Sequence, residues 1–263
     1  MTLTNQKLDH IVATLKMVGA LDSATASPAE TLSQLYGKHT APIWLSLTKR
    51  YATLKKRYTQ NLLGNYTGQQ TEASCSAASL AIIINTMQQR CSELASKAAP
   101  RISEQDLTSS IELHNWKART GHNLNSICCQ QGVTLEQLLE ITQCALDHHK
   151  IAHHSVTTLK ARTHNLKRAR KLLQTTLERV NSDRPPFLLA HFVPREILPT
   201  YDAGSIAHIS PIGGYNPARR ELLILDVYSK LYEPYWVPVE DFFRAIYRET
   251  DCWGEGGLIV IDR

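Results

Sequence analysis

A chain of 263 residues, with 43% hydrophobic and 20% charged residues, can bury one substantial core, either as one domain of two lobes or as two small domains. Six cysteines spread over that length make no disulfide scaffold, so reduced thiols are expected, and no apolar run approaches the ~18 residues of a membrane span. The net charge of +5 is concentrated in Lys160, Arg162, Lys167, Arg168, Arg170 and Lys171, with no acid among them, which leaves the remainder close to neutral.

Leu8, Ile11, Val12, Leu15 and Val18 recur at helical spacing, Ser27 caps a helix opening at Pro28, and a third helix is expected from about Pro42 to Tyr58. The stretch Ile11 to Leu21 is interrupted by Lys16 and gives no secretory signal. With Met1 as the natural start the expected location is cytoplasmic, although a trimmed secreted or periplasmic chain would read the same. The loop Leu63 to Gly68 breaks the helical pattern. From Cys75 through Met87 the chain is apolar on nearly every face, which predicts a buried central helix. Gly132-Val133-Thr134 ahead of Leu135, Leu138, Leu139 and Ile141 predicts a capped helix, and Leu159 to Val180 a longer amphipathic one carrying the basic residues on one face. Such a face could meet a nucleic acid or an anionic membrane. A solvated helix is the simpler account, because no RNA-binding aromatic motif, zinc-finger spacing or phosphate loop accompanies it, and neither partner is expected.

The character changes at Asp183-Arg184-Pro185-Pro186. Short strand-like runs follow at Phe187–Val193, Ile206–Ile212, Leu222–Val227 and Leu258–Ile261, with Gly213-Gly214-Tyr215-Asn216-Pro217 read as the turn between two of them, and Pro238 opening a last helix from Val239 to Tyr247. The expectation is an α+β fold: residues 1–182 mainly helical, residues 183–263 mainly antiparallel sheet, and a cleft between the two lobes of a single catalytic domain.

Three residues form a chemical set. Cys75 opens the buried helix, where free amides and the helix dipole favour a thiolate. His208 and Asp226 sit on successive strands, so antiparallel pairing would bring them together as base and orienting carboxylate. Gln69, six residues before Cys75, could return its side-chain amide to a developing oxyanion. Taken singly, a cysteine on an apolar helix can be a small core residue, a strand histidine structural, and an aspartate at a strand end a turn cap.

The segment Gly204 to Asn216, the run Leu222 to Val227 and the following Tyr232-Glu233-Pro234-Tyr235-Trp236-Val237-Pro238 resemble phytochelatin synthases. So do the interval of 18 from His208 to Asp226, the placing of Gln69 before Cys75, and Gln130 to Glu136. The resemblance runs from about Asn65 to the C-terminus and is most specific between 204 and 238. It implies a papain-like fold, with a helical N-terminal lobe and its nucleophile helix packed on a C-terminal antiparallel sheet. It also implies an acyl-enzyme on Cys75 formed by attack on the Cys–Gly amide of glutathione, the acyl group passing to a second glutathione or to water. Asp251 would meet the substrate α-amine, and Gly204, Ser205 and Ala207 would line the substrate site. No cofactor is held by the protein in this reading, and cadmium or zinc would enter as the metal–thiolate of the substrate.

This chain departs from the family pattern at Ser74 and Ser76, where an aromatic residue and glycine flank the nucleophile, at Ser229, where arginine follows the aspartate, and at Gly256-Gly257 in place of an Arg-Gly pair. Compact members without the cysteine-rich second domain tend toward hydrolysis, so hydrolysis is expected to outweigh transpeptidation. A peptidase acting on another peptide or protein, and a non-catalytic module using the basic helix, are the competing readings; a homodimer is allowed. Cys144 with His148, and His149 with His153, stand four apart on a helix, but no set of four ligands is fixed by their spacing and no metal site is assigned.

Overall fold

The computed structural model describes residues 43–44, 57–92, 100–121, 131–163, 165–198 and 206–263. Its centre is a seven-stranded sheet in the order β1-β6-β5-β4-β3-β7-β2, formed by β1 (Ile43–Trp44), β2 (Ser155–Lys160), β3 (Phe187–Phe192), β4 (His208–Asn216), β5 (Glu221–Ile224), β6 (Tyr235–Pro238) and β7 (Gly257–Asp262). Every neighbouring pair is antiparallel. All six residues of β3 are buried, as are the first eight of β4, so both faces of the sheet are covered at its middle.

The covering comes from α1 (Arg57–Gly64), α2 (Cys75–Ser92), α3 (Glu104–Ser110), α4 (Trp116–Thr120), α5 (Leu135–His148), α6 (Leu166–Arg179) and α7 (Val239–Tyr247). Helix α2 packs along β4 and β3, and α7 along β3 and β6. Each residue from Ala73 to Met87 is buried, as the unbroken apolar run predicts. The polar side chains in that run find partners, since a buried polar group left alone is costly. Ser79 donates to the Ile209 carbonyl, Asn85 exchanges two hydrogen bonds with the backbone of Ile102, and Ser76 accepts from the indole of Trp116. Thr134 caps α5 in a reciprocal capping box with Gln137, at the position the sequence pattern marks.

Several boundaries differ from the sequence expectation. Ile43 and Trp44 form a strand, not the start of a helix: β-branched and aromatic residues suit a pleated edge, and β6 offers one. The helix expected from Leu159 divides into β2, which completes the sheet beside β7, and α6 from Leu166. The sheet therefore draws two strands from the part of the chain that reads as helical. Gly213 and Gly214 lie inside β4, at a bulge between Ile212 and Gly214, and the turn is at residues 217–220. Glycine there makes room for packing: a β-carbon on Gly213 would stand 2.7 Å from the Leu225 side chain, which would have to shift. The helices expected around Leu8–Val18 and from Pro28 lie outside the described residues.

The basic residues do not share one helix face. Lys160 belongs to β2 and pairs with Glu136 and Glu255, Arg162 follows that strand and pairs with Glu249, and Arg170 on α6 pairs with Glu240. The expectation of reduced thiols fails at Cys252, which is disulfide-bonded, whereas Cys75 and Cys144 are free. Among the described residues no helix is long and apolar enough to cross a membrane.

Candidate active site

Antiparallel pairing of β4 with β5 carries His208, the first residue of β4, to Asp226, two residues beyond the end of β5. His208 Nε2 lies 2.9 Å from Asp226 Oδ1, and both residues are buried. The carboxylate is well provided with donors: the Tyr228 amide reaches Oδ1 at 2.9 Å and the Tyr235 hydroxyl reaches Oδ2 at 3.1 Å. Tyr66 donates to the Asp226 carbonyl and fixes the backbone as well. Ser210, two residues along the same face of β4, places its hydroxyl 3.1 Å from His208 Nε2.

Cys75 is the first residue of α2, and its buried thiol is hydrogen-bonded to His208. With Nε2 committed to Asp226, Nδ1 is the ring nitrogen left for the sulfur. Burial works against an imidazolium here, but the Asp226 carboxylate and Cys75 outweigh it and push the His208 pKa up to about 10. The structure thus brings together Cys75, His208 and Asp226, which the sequence places 151 residues apart from first to last (226 − 75).

Gln69 is held beside this set, because its backbone amide donates to the carbonyl of Val227, the residue after Asp226. Its side-chain amide donates at 2.8 Å to the Thr71 carbonyl and at 3.2 Å to that of Glu72, while Oε1 is buried with no partner among the described residues. In this arrangement its N–H groups are engaged within the loop. The backbone amides of Cys75, Ser76 and Ala77 have no acceptor among the described residues, which leaves the positive end of α2 open beside the sulfur. Ser74, which stands where a serine usually caps a helix, instead accepts the Thr71 amide at 3.0 Å and bonds to Glu104.

The substituted positions have structural reasons. Ser76 is wholly buried and receives the Trp116 indole N–H at 2.9 Å. Ser229 lies directly over Gly68. A β-carbon on Gly256 would stand 2.5 Å from the Ile246 carbonyl oxygen and 2.7 Å from that of His191, so the backbone admits no side chain there without moving.

Asp251 is exposed on the loop between α7 and β7, which is anchored by a hydrogen bond from the Trp253 indole to the Gln131 carbonyl. It lines a cleft of about 650 Å³ together with Arg162, Glu196, Tyr247, Arg248 and Thr250. Cys75, His208 and Asp226 are not among the residues that line this cleft. Ala207 is half-buried just before His208, whereas Gly204 and Ser205 lie outside the described residues. His153 turns to the Ile151 carbonyl and Asp147, and His148 stacks edge-on against His149.

Sequence reasoning missed Ser210, Tyr228, Tyr235, Tyr66 and Glu104. The two-residue period of β4 signals Ser210; the others are reached only through strand pairing and loop packing, which no local pattern encodes.

A family model described as phytochelatin synthase matches residues 44–253 and includes Gln69, Cys75, His208, Asp226 and Asp251. Two relatives from Arabidopsis thaliana, glutathione gamma-glutamylcysteinyltransferase 1 and glutathione gamma-glutamylcysteinyltransferase 2, are each 42% identical over 57 residues. The stretch is 21% of this chain and spans only 12% and 13% of the length of those relatives. With four-fifths of its length inside the family match, this chain belongs to the phytochelatin synthase family.

Proposed function

We propose that the protein is a thiol acyltransferase and peptidase that opens the Cys–Gly amide of glutathione, or of a related γ-glutamyl peptide, through an acyl-enzyme on Cys75. The observation that carries this reading is the buried His208, bonded on one side to Cys75 and on the other to Asp226.

In the first half-reaction the Cys75 sulfur forms a bond to the amide carbon and the C=O π pair moves to oxygen. The unbonded amides at the start of α2 are the donors assigned to that oxygen, since a preorganised donor acts where charge develops. His208, held protonated beside the sulfur, delivers its proton from Nδ1 to the departing nitrogen as the C–N bond breaks and glycine leaves. Asp226 keeps the ring oriented and balances its charge. In the second half-reaction the neutral His208 takes a proton from water, or from the amine of a second peptide, as that group attacks the thioester and the sulfur departs. Cadmium or zinc takes part as the metal–thiolate form of the substrate.

Hydrolysis is the favoured second step, since Ser74, Ser76 and Ser229 stand where the family pattern keeps an aromatic residue, glycine and arginine, and an acceptor peptide needs a site that holds it while water is excluded. The test is mass spectrometry of the protein incubated with glutathione: an acyl adduct on Cys75, free glycine, and γ-glutamylcysteine as main product are expected. A Cys75→Ser variant that still releases glycine at the parental rate rules the reading out. If glutathione is inert but another peptide acylates Cys75, the protein is a cysteine peptidase of different substrate class.

A further inference from the structure

We propose that Glu104 is a positioning residue for the acyl-transfer reaction, clamping the two ends of the segment between Gln69 and Cys75. The inference rests on the reading of Cys75 as nucleophile.

Glu104 is the first residue of α3 and is 5% exposed. Its carboxylate accepts the backbone N–H of Gln70 at 3.1 Å and bonds to the hydroxyl of Ser74. Gln70 follows Gln69 and Ser74 precedes Cys75, so one side chain spans the five residues that separate the loop glutamine from the nucleophile. Nothing in the triad chemistry uses it. Burial raises the Glu104 pKa, and the two hydrogen bonds only partly offset that. An acid held where burial disfavours its charge is a cost to folding, and such groups are retained where they serve a site.

The consequence lies at the helix start. A serine in the capping position ordinarily turns its oxygen to the first-turn amides, which would close the site where an oxyanion must bind. The Ser74 hydroxyl lies between the Thr71 carbonyl, at 3.3 Å, and the Glu104 side chain, and a side-chain oxygen at position 104 is enough to accept its proton. Held there, Ser74 receives the Thr71 amide and leaves the amides of α2 open. Glu104 therefore sets both the distance across the loop and the orientation of the group that would otherwise block it.

Two variants separate length from charge. Glu104→Asp keeps the charge, suits a first helical turn, and is one methylene too short to reach both partners. Glu104→Gln keeps the reach and sheds the buried ionisable group. Glycine release from glutathione, Cys75 alkylation by iodoacetamide and thermal melting are measured on the parent and both variants. Glu104→Asp is expected to lower kcat by at least about 10-fold with KM and the alkylation rate within about 3-fold, because alkylation needs the thiolate but no oxyanion site. Glu104→Gln should retain kcat within about 3-fold and melt no lower than the parent. Parental kcat in Glu104→Asp, an equal loss in both variants, or alkylation falling in step with kcat overturns the proposal while leaving the triad intact. A parent that releases no glycine overturns the functional reading and this proposal with it.

Discussion

Gly68 approaches Ser229 so closely that a β-carbon on the glycine would lie 1.8 Å from the serine hydroxyl oxygen and 2.8 Å from its β-carbon. The loop that leads to Cys75 is thereby pressed against the loop that follows Asp226, and the neighbouring bond from the Gln69 amide to Val227 locks the same contact. Gly68→Ala should push these loops apart and lower kcat by about 10- to 100-fold, since an ångström of misplacement at a reacting centre has effects of that size. Adding Ser229→Gly to Gly68→Ala makes room for the methyl group and should restore most of the loss. A double variant no better than Gly68→Ala shows that the contact does not set the geometry.

The Tyr235 hydroxyl and the Tyr228 amide both serve the Asp226 carboxylate, but only the first can be removed without touching the backbone. Tyr235→Phe leaves a buried charge one donor short, at a cost of about 1.5–3 kcal/mol. Melting temperature and kcat should both fall, with kcat down about 10-fold. Tyr228→Phe removes a hydroxyl that bonds to Glu72, half-exposed at the surface, and should leave kcat within about 2-fold. Equal effects from the two phenylalanine variants would contradict the assignment of Tyr235 as the support of Asp226.

What could be read from the sequence divides along physical lines. The buried nucleophile helix shows in the run from Cys75 to Met87, apolar on nearly every face, because a helix covered on all sides has no face left for solvent. The meeting of His208 and Asp226 is anticipated because successive antiparallel strands bring the start of one beside the end of the next. The edge strand β1 and the split between β2 and α6 do not show, since whether Ile43 or Leu159 extends or coils depends on which sheet edge is free. The Gly213-Gly214 pair misleads for the reason it is useful: glycine marks turns and close packing alike, and here Leu225 fills the space. The engagement of the Gln69 amide by Thr71 and Glu72 depends on the curl of a short loop, which spacing alone does not encode.

Two histidines should give opposite pH signatures. His191 is buried in β3 with Nε2 against the Val133 carbonyl, and burial lowers its pKa to about 4. The unfolded chain takes up this proton near pH ~6.5 while the folded chain does not, so stability falls as pH drops from about 6.5 to about 4. In His191→Gln that part of the slope should vanish, even if the variant is less stable throughout. For His208 the folded value is raised to about 10, so its contribution is complete below about pH 6.5 and is lost as pH rises through about 10. The same loss of the imidazolium proton should set the alkaline limb of kcat/KM. Melting curves from pH 4 to 10 on parent and variants check the first, and a pH–rate profile checks the second. An alkaline limb near pH 7 would contradict a strongly held imidazolium.

The last expectation concerns the substrate carboxylate. A free α-carboxylate is held best by the fork of an arginine, and charge-assisted pairs are stronger than neutral hydrogen bonds. The chain has Gly256 where the family pattern carries that arginine, and the backbone oxygens of Ile246 and His191 leave no room for a side chain. Gly256→Arg should therefore destabilise the fold by about 1–3 kcal/mol through overpacking and should not tighten binding. The four arginines that line the cleft with Asp251 are already paired: Arg162 with Glu249, Arg170 with Glu240, Arg244 with Asp241, and Arg248 with Glu196 at the longest distance, 3.8 Å. Recognition should then be lopsided, with the substrate amine required through Asp251 and the carboxylate contributing little. Losing one charge-assisted bond corresponds to ~1.5–3 kcal/mol, or roughly ten- to a hundred-fold in affinity. The comparison is kcat/KM for glutathione against an analogue amidated at the glutamyl α-carboxylate. Values within about 10-fold are expected, together with a large loss in Asp251→Asn for either substrate. If the amide is rejected by several orders of magnitude, an arginine of the cleft has released its acid and taken the carboxylate. Arg248, with the longest of these pairings, is then the residue to replace first.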